Sequence, residues 1–176
     1  DFFTAVADKS VLPLLLYVYP GVTNGVQVSP ETIIKLSAHP NVVGTKISHG
    51  DVAEITQVAL HPDIYSGKNN FQVFVGLGQI LLPALSVGVA GTIDAISGAF
   101  PKTYVDIFDA YHAGDYNKAR ELQLIATRSE EIVVNFGVVG IKKAIELQGF
   151  GSNHLGRIPL NQDIPAGAWE NSVGAY

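Results

Sequence analysis

Short apolar runs recur along the first half of the chain, and none of them alternates cleanly between apolar and polar positions. Uninterrupted runs of this length are typical of strands that are buried on both faces of a parallel sheet. Each run ends at turn-forming residues and is followed by a stretch with helical spacing. The pattern predicts four strands, over residues 14–18, 41–46, 72–75 and 89–93.

The predicted helices between these strands carry sequence signals for their first turns. Ser29, Pro30 and Glu31 supply a capping hydroxyl, a proline suited to the first helical position and an acid in the first turn. Asp51 and Glu54 have the spacing of a capping box. We therefore expect strand-helix units with right-handed crossovers.

The pattern changes after Pro101, where the strand signals stop. Apolar positions at helical spacing form one face over residues 104–111 and another over residues 119–133. A third helix is expected over residues 140–147. We therefore expect a helical extension in this part of the chain.

These patterns predict two regions, a strand-helix region over residues 1–100 and a helical extension with a tail over residues 101–176. Four strand-helix units are half of the number that closes a (β/α)8 barrel, which typically needs about 250 residues. The predicted fold class is therefore α/β, with half of such a barrel in the first region. The tail is expected to be anchored by Ile158, Leu160 and Trp169.

One uncharged stretch, over residues 69–93, is long enough to raise the alternative of a membrane span. Glycines and Pro83 cut it into short pieces. A buried strand, a short helix and another buried strand fit these interruptions better. We therefore expect no membrane partner.

Composition excludes several other classes of function. The chain has 11 Lys and Arg against 16 Asp and Glu, a net charge of -5, and no basic cluster, so a nucleic-acid partner is not expected. The absence of Cys excludes disulfides, thiolate metal sites and cysteine nucleophiles. The five histidines include no pair at helical spacing, so no metal is expected.

A lysine at the end of a buried strand is the sharpest chemical feature of the sequence. Lys46 ends the second predicted strand, and ligands of parallel α/β sheets bind at the carboxyl ends of the strands. An apolar pocket there would disfavour the ammonium form of Lys46, and Schiff-base formation with a ketone requires a neutral amine. The alternative is a lysine whose ammonium group reaches solvent past the strand.

Tyr17 occupies the matching end of the first predicted strand. Neighbouring strands lie about 4.8 Å apart, so the phenol of Tyr17 and the amine of Lys46 could share one pocket. A phenol in that position can relay protons to a reacting group. The alternative is a buried aromatic residue whose hydroxyl has an ordinary hydrogen-bond partner.

Several motifs together resemble the dihydrodipicolinate synthase and N-acetylneuraminate lyase family. They are LYVYPGVT at residues 16–23, VGTK at residues 43–46, Ser66-Gly67, and GLG at residues 76–78. The chain is most similar to the branch that contains eukaryotic 4-hydroxy-2-oxoglutarate aldolases and fungal 2-keto-3-deoxy sugar-acid aldolases. The resemblance covers nearly the whole chain, but only the second half of the family fold.

The resemblance implies the last four strand-helix units of a (β/α)8 TIM barrel with trailing C-terminal helices. It implies a metal-independent class I aldolase, a lyase in which Lys46 forms an imine with pyruvate or another 2-oxo acid. Tyr17 would relay protons, and Ser48 matches a pocket serine of the hydroxyoxoglutarate branch; the alternative for Ser48 is a loop hydroxyl that bonds to the backbone. Gly76 would allow close backbone approach, and the backbone around Ile93 would line the substrate pocket.

The implied partners are a small 2-oxo acid and an aldehyde, and the implied assembly is a homotetramer in the cytoplasm or the mitochondrion. No cofactor is expected. Gly76 and Gly78 are not a dinucleotide-binding site, because Leu81 stands where a third glycine would be.

One departure from the family pattern concerns the second substrate. Dihydrodipicolinate synthases have an arginine that grips the carboxylate of their aldehyde substrate, and this chain has Val22 there. Valine cannot supply a bidentate contact to a carboxylate. Aspartate semialdehyde is therefore disfavoured, and 4-hydroxy-tetrahydrodipicolinate synthase activity is kept as an alternative.

A second departure is a missing motif. The family's glycine-threonine-threonine/serine motif, which holds the pyruvate carboxylate, belongs to the first half of the barrel and is absent from these 176 residues. We expect the chain to be the carboxyl-terminal portion of a longer aldolase. The alternative is a non-catalytic half-barrel that acts as an assembly or binding module, since four strands alone leave two sheet edges open.

Overall fold

A computed structural model describes residues 2–173 of the chain, which divide into two compact units between Ile93 and Asp94. The first unit contains a parallel sheet with the strands in sequence order. The structure confirms the four predicted strands and the α/β fold class. The strands are β1 (Leu14–Val18), β2 (Val42–Ile47), β3 (Gln72–Val75) and β4 (Gly91–Thr92).

Two helices of the first unit, α2 and α3, begin where the sequence signals predict. Ser29 Oγ accepts the backbone N–H of Thr32 at 3.4 Å, and Asp51 Oδ1 accepts the N–H of Ala53 at 2.9 Å and that of Glu54 at 3.1 Å. These caps satisfy amide groups that have no partner within the helix. The helices are α1 (Phe2–Lys9), α2 (Pro30–Ser37), α3 (Val52–Ala59), α4 (Pro62–Tyr65) and α5 (Leu81–Ser86).

One face of the sheet forms the core of this unit. Residues in register on neighbouring strands point to the same side, and two rows on this side are buried. Helices α2, α3 and α5 cover them with apolar side chains. The buried rows are Leu16, Thr45 and Val73, and Val18, Ile47 and Val75.

The opposite face differs from the expectation of strands buried on both sides. Leu15 and Tyr17 of β1 and Gln72 of β3 are exposed. Lys46, in register with Tyr17, and Phe74, in register with Lys46, are partly buried. The sequence does not distinguish the two faces, because the strands do not alternate cleanly between apolar and polar positions. Tertiary packing within the described residues covers only one of them.

Close contact between the strands depends on Gly44 of β2. A Cβ atom at this position would lie 2.5 Å from the backbone oxygen of Gln72 and 2.8 Å from Leu15 Cδ1. The backbone atom cannot move aside without separating β2 from β3. Glycine at this position therefore allows the strand spacing.

Gly44→Ala is expected to destabilise the fold by about 1–3 kcal/mol, the usual cost of overpacking. The urea midpoint of unfolding measures the change. Gly50→Ala is a matched control, because a Cβ atom at Gly50 meets nothing within 4 Å. Equal midpoints for both variants would contradict this explanation.

The second unit is helical, as the sequence pattern predicts. Two predicted boundaries are wrong: the apolar face over 119–133 is divided between two helices, and the helix expected over 140–147 begins earlier. The last of these helices is interrupted at Gly137, whose φ of 56° and ψ of -143° are not helical and favour glycine. Its helices are α6 (Pro101–His112), α7 (Tyr116–Ser129), α8 (Glu131–Leu147, with the break at Gly137) and α9 (Ala168–Val173).

Polar contacts hold part of the tail. Ile158 is 84% exposed and Leu160 is exposed, so the prediction that they anchor the tail is wrong. Trp169 lies with its ring centroid 5.6 Å from that of Phe136.

None of the helices within residues 2–173 combines the length and the hydropathy that crossing a bilayer requires.

His154 connects the tail to α8 through two carboxylates. Its Nδ1 is hydrogen-bonded to Glu146 Oε2, and its Nε2 lies 2.8 Å from Asp163 Oδ1. Carboxylates only accept, so both bonds are satisfied together by the imidazolium form. Hydrogen bonds with Asp163 and Glu146 raise the pKa of His154 above its ordinary value. Nearby, Lys142 Nζ donates to Leu155 O at 2.6 Å.

Attachment of the tail is therefore expected to depend on pH. Because the folded pKa of His154 is raised, its contribution is complete below the ordinary value of 6.5 and is lost as the pH rises through the raised value. His154 also lowers the pKa of Asp163, so at the acid end the contribution is complete above 3.8 and is lost as the pH falls through the lowered value.

An NMR titration of the His154 ring tests this expectation. The pKa should be raised in the wild type and should move back towards 6.5 in Asp163→Asn, where Glu146 and the more distant Lys143 are retained. A wild-type pKa at the ordinary histidine value would contradict the proposed ion pairs.

Candidate active site

The carboxyl edge of the sheet brings together the residues that the sequence singles out. Tyr17 is in register with Lys46. Beyond the strands, the hydrogen-bond ladder continues: the N–H of Ser48 donates to Val18 O at 2.8 Å, and the N–H of Gly76 donates to Ile47 O at 2.8 Å. All four residues therefore lie at one edge of the sheet.

Ile93 follows β4 at the same edge. Its N–H donates to Val75 O at 2.9 Å, and its side chain is exposed. The backbone around Ile93 is thus fixed by β3, while its side chain makes little contribution to the core. The structure thus places Ile93 at the same edge as Lys46, and its role in lining a substrate pocket stays a prediction.

The amine of Lys46 lies over the aromatic ring of Tyr17. The distance from Lys46 Nζ to the ring centroid is 4.7 Å, within the range of a cation–π contact. Tyr17 is 49% exposed and Lys46 is only partly buried. The expectation of a dry pocket is therefore not met in this structure, because this face of the sheet is open to solvent.

Ser48 carries a buried hydroxyl that has no hydrogen-bond partner among the described residues. The residue is only 8% exposed. Leaving a buried hydroxyl unpaired costs about 1–3 kcal/mol, so such groups in native structures call for an explanation. A substrate oxygen would provide the missing partner.

Gly76 faces the side chains of Ser48 and Lys46. A Cβ atom at position 76 would overlap Ser48 Oγ and would lie 2.8 Å from Ser48 Cβ and 2.9 Å from Lys46 Cε. The absence of a side chain at Gly76 therefore leaves room for both groups. The sequence suggested close backbone approach at Gly76, but not which side chains use the space.

His49 has the contacts of a structural loop residue. Its Nδ1 accepts the N–H of Asp51 at 3.2 Å, and its Nε2 lies 3.3 Å from Glu54 Oε2. An N–H of the backbone can only donate, so Nδ1 is the unprotonated nitrogen in the neutral ring. In place of the second bond of a capping box, Glu54 pairs with His49.

A cavity of about 220 Å³ adjoins His49, and its lining does not include Lys46. Asp51 and Glu54 face it, but Asp51 Oδ1 is already occupied as a helix cap. Within residues 2–173, no group of three or more His, Asp or Glu side chains is placed to hold a metal ion. The features of a reactive site are therefore concentrated around Lys46.

Sequence reasoning missed two aromatic residues, one beside Lys46 and one beside Tyr17. Phe74 of β3 is in register with Lys46, opposite Tyr17. Tyr19 lies with its ring centroid 5.7 Å from that of Tyr17, at an interplanar angle of 37°. The signal that could have identified Tyr19 is its position two residues after Tyr17, because residues two apart on a strand share a face.

Two curated fungal proteins are similar to most of this chain. L-threo-3-deoxy-hexylosonate aldolase of Hypocrea jecorina is 32% identical over 164 residues, which cover 92% of this chain and 52% of that protein. A protein of Emericella nidulans named probable 4-hydroxy-2-oxoglutarate aldolase, mitochondrial, is 33% identical over 152 residues, covering 86% and 48%. The chain thus spans about half the length of the curated relatives it matches.

A solved structure has the same fold over nearly the whole chain. It is YagE, a prophage protein of E. coli K12 belonging to the dihydrodipicolinic acid synthase family, in complex with pyruvate. The TM-score is 0.79 at 26% sequence identity, over 90% of this chain and 53% of that one. The parallel sheet corresponds to part of a TIM barrel, as predicted.

The family model for the dihydrodipicolinate synthetase family matches residues 1–163. The match includes both strand-end motifs, the glycine that faces Ser48 and Lys46, and most of the helical unit. By sequence and by fold, this chain belongs to the dihydrodipicolinate synthetase family.

Proposed function

We propose that this chain supplies the imine-forming lysine of a pyruvate-dependent class I aldolase, with Lys46 as the nucleophile. The observation that carries the proposal is the position of the Lys46 amine over the Tyr17 ring, 4.7 Å from its centroid, at the carboxyl edge of a parallel sheet. Ligand sites of such sheets lie at this edge. Family membership and the names of the fungal relatives agree with aldol chemistry.

In the condensation direction, the neutral amine of Lys46 attacks the keto carbon of pyruvate and gives a carbinolamine. Loss of water forms the imine, which withdraws electrons from the adjacent methyl carbon. Removal of a proton from that carbon gives an enamine, whose carbon bonds to the aldehyde carbon while the aldehyde oxygen takes a proton. Hydrolysis of the new imine releases the product and regenerates Lys46, and cleavage is the reverse sequence.

Tyr17 is proposed to move protons in these steps. Its phenol can donate to a departing hydroxyl and can accept the proton back, because one oxygen serves as donor and acceptor. The exposed position of Tyr17 leaves its ring accessible to a substrate bound at Lys46.

Ser48, Gly76 and Ile93 are proposed to bind and position the substrate. The Ser48 hydroxyl has no partner, so hydrogen bonding to a substrate oxygen would remove the cost of its burial. Gly76 keeps space for Ser48 beside Lys46, and the backbone fixed at Ile93 forms the adjoining wall.

An aldehyde other than aspartate semialdehyde is proposed as the second substrate. The two fungal relatives are named for aldolases of a deoxy-hexylosonate and of 4-hydroxy-2-oxoglutarate. Val22 cannot bind a carboxylate as an arginine would, which disfavours aspartate semialdehyde. Measuring cleavage of 4-hydroxy-2-oxoglutarate against condensation with aspartate semialdehyde separates the aldolase from the synthase alternative.

A homo-oligomer in the cytoplasm or the mitochondrion completes the proposal. The Emericella nidulans relative is named as mitochondrial. The edge strands of the sheet, β1 and β4, each lack one neighbouring strand among the described residues and would be protected by association.

Reductive trapping tests the proposed chemistry. Incubation of the chain with pyruvate and cyanoborohydride should fix one reduced pyruvyl group on Lys46, detected by intact mass and peptide mapping. The same incubation without pyruvate is the control. An adduct on another lysine, or none, would refute the assignment, and an additional failure to bind pyruvate by calorimetry would favour a non-catalytic half-barrel.

A further inference from the structure

The ring of Tyr17 has two neighbours. The amine of Lys46 lies 4.7 Å from its centroid, and the ring centroid of Tyr19 lies 5.7 Å from it. Tyr19 follows β1 directly, two residues after Tyr17. Tyr17 therefore contacts both the amine and a second aromatic ring.

The Tyr19 ring is itself held by the loop that follows. A Cβ atom at Gly21 would lie 3.0 Å from Tyr19 Cε2 and 3.4 Å from Cζ, so the ring lies directly against this glycine. The N–H of Val22 donates to Tyr19 O at 3.1 Å and closes a four-residue turn over residues 19–22. Pro20 is the second residue of this turn. This turn folds Gly21 back against the aromatic ring.

Tyr17 needs such support because burial does not fix it. With 49% of its surface exposed, its ring lacks the enclosing contacts that restrict a core side chain to one rotamer. An offset or tilted ring pair contributes about 0.5–1.5 kcal/mol beyond area burial, enough to bias one rotamer over another. Tyr19 is 39% exposed, and Gly21 limits where its ring can go.

We propose that Tyr19 is a positioning residue, which acts through Tyr17 by holding the phenol ring beneath the amine of Lys46. The proposal deepens the proposed function and rests on it for its catalytic consequence, but the positioning itself is a property of the folded chain. Gly21 contributes to this positioning, because a Cβ atom there would lie 3.0 Å from Tyr19 Cε2 and would displace the ring.

NMR tests the positioning without requiring activity. The ε-methylene protons of Lys46 should be shifted upfield by the ring current of Tyr17, with Lys46→Arg identifying the signal and Tyr17→Leu removing the shift. Tyr19→Phe, which keeps the ring, should preserve the shift. Tyr19→Leu and Gly21→Ala should move the signal towards its position in Tyr17→Leu, and an unchanged signal in both would overturn the proposal.

Trapping kinetics test the consequence for the reaction. Tyr19→Leu should slow pyruvate trapping on Lys46 about tenfold or more, as expected when a reacting group is misplaced, while Tyr19→Phe keeps the wild-type rate. In a Tyr17→Phe background, Tyr19→Leu should have no further effect, because its influence passes through the Tyr17 hydroxyl. An equal loss in both backgrounds would assign Tyr19 a general structural role and overturn the proposal.

The two sets of data separate failure of positioning from failure of the proposed function. A wild-type chain with the upfield signal but no trapped adduct would refute the aldolase assignment and leave the positioning intact. Trapping at the wild-type rate in Tyr19→Leu, with the Lys46 signal unmoved, would refute the positioning and leave the aldolase assignment intact.

Discussion

Lys46→Arg is expected to slow pyruvate trapping by about 10³-fold or more, the scale on which loss of a covalent nucleophile lowers a reaction rate. Arginine is permanently charged at accessible pH and cannot supply the neutral amine that imine formation requires. It nevertheless keeps a cation that can stack over the Tyr17 ring. The substitution therefore removes the chemistry while keeping the charge and most of the contact.

Lys68→Arg is the matched control for this experiment. Lys68 is exposed in the first unit, so the same substitution there should leave the trapping rate unchanged. Circular dichroism and the urea midpoint should be alike for both variants and the wild type. Trapping at the wild-type rate in Lys46→Arg would show that another amine is the nucleophile.

Gly76→Ala is expected to slow trapping by about 100-fold, although alanine adds only one methyl group. That methyl would overlap Ser48 Oγ and come within 2.9 Å of Lys46 Cε, so both side chains must move. A displacement of about 1 Å at a reacting group is enough for a loss of this size. The rate of adduct formation at fixed pyruvate concentration measures the effect.

A double variant shows whether this loss comes from crowding. Ser48→Gly removes Oγ and Cβ of Ser48, the two atoms nearest the new methyl, and leaves only the contact with Lys46 Cε at 2.9 Å. Adding Gly76→Ala in that background should therefore cost less than it does alone. Gly50→Ala provides the control, because position 50 follows the neighbouring strand β2 and a Cβ atom there meets nothing within 4 Å. Equal losses in the wild-type and Ser48→Gly backgrounds would show that crowding of Ser48 is not the cause.

The elements of the first unit could be predicted because their signals are local. The apolar runs of β1 to β3 and the caps at Ser29 and Asp51 depend on neighbours within a few residues, and the structure has each of them. The break between α7 and α8 could not be predicted in this way. No glycine or proline marks it, and Glu130 at this break is buried, with Tyr104 donating a hydrogen bond to it from another helix.

The candidate site was predictable in its members more than in its geometry. Strand ends and the family resemblance identify Lys46, Tyr17, Ser48, Gly76 and Ile93 as residues of one edge. Neither could show that Gly76 faces two side chains at once, or that Tyr19 supports Tyr17. These relations join separate strands and a loop, and they depend on distances of a few tenths of an ångström.

The α/β class, the four strands, the family and the position of a lysine at a strand end could all be predicted from the amino-acid sequence, because hydrophobic period, caps and motifs act over short segments. Four other features emerge only in the folded chain: the register of Tyr17 with Lys46, the unpaired hydroxyl of Ser48, the exposed face of the sheet and the ion pairs of His154. Each of these is a contact or a burial between residues distant in the chain, and it exists only once the backbone has been packed.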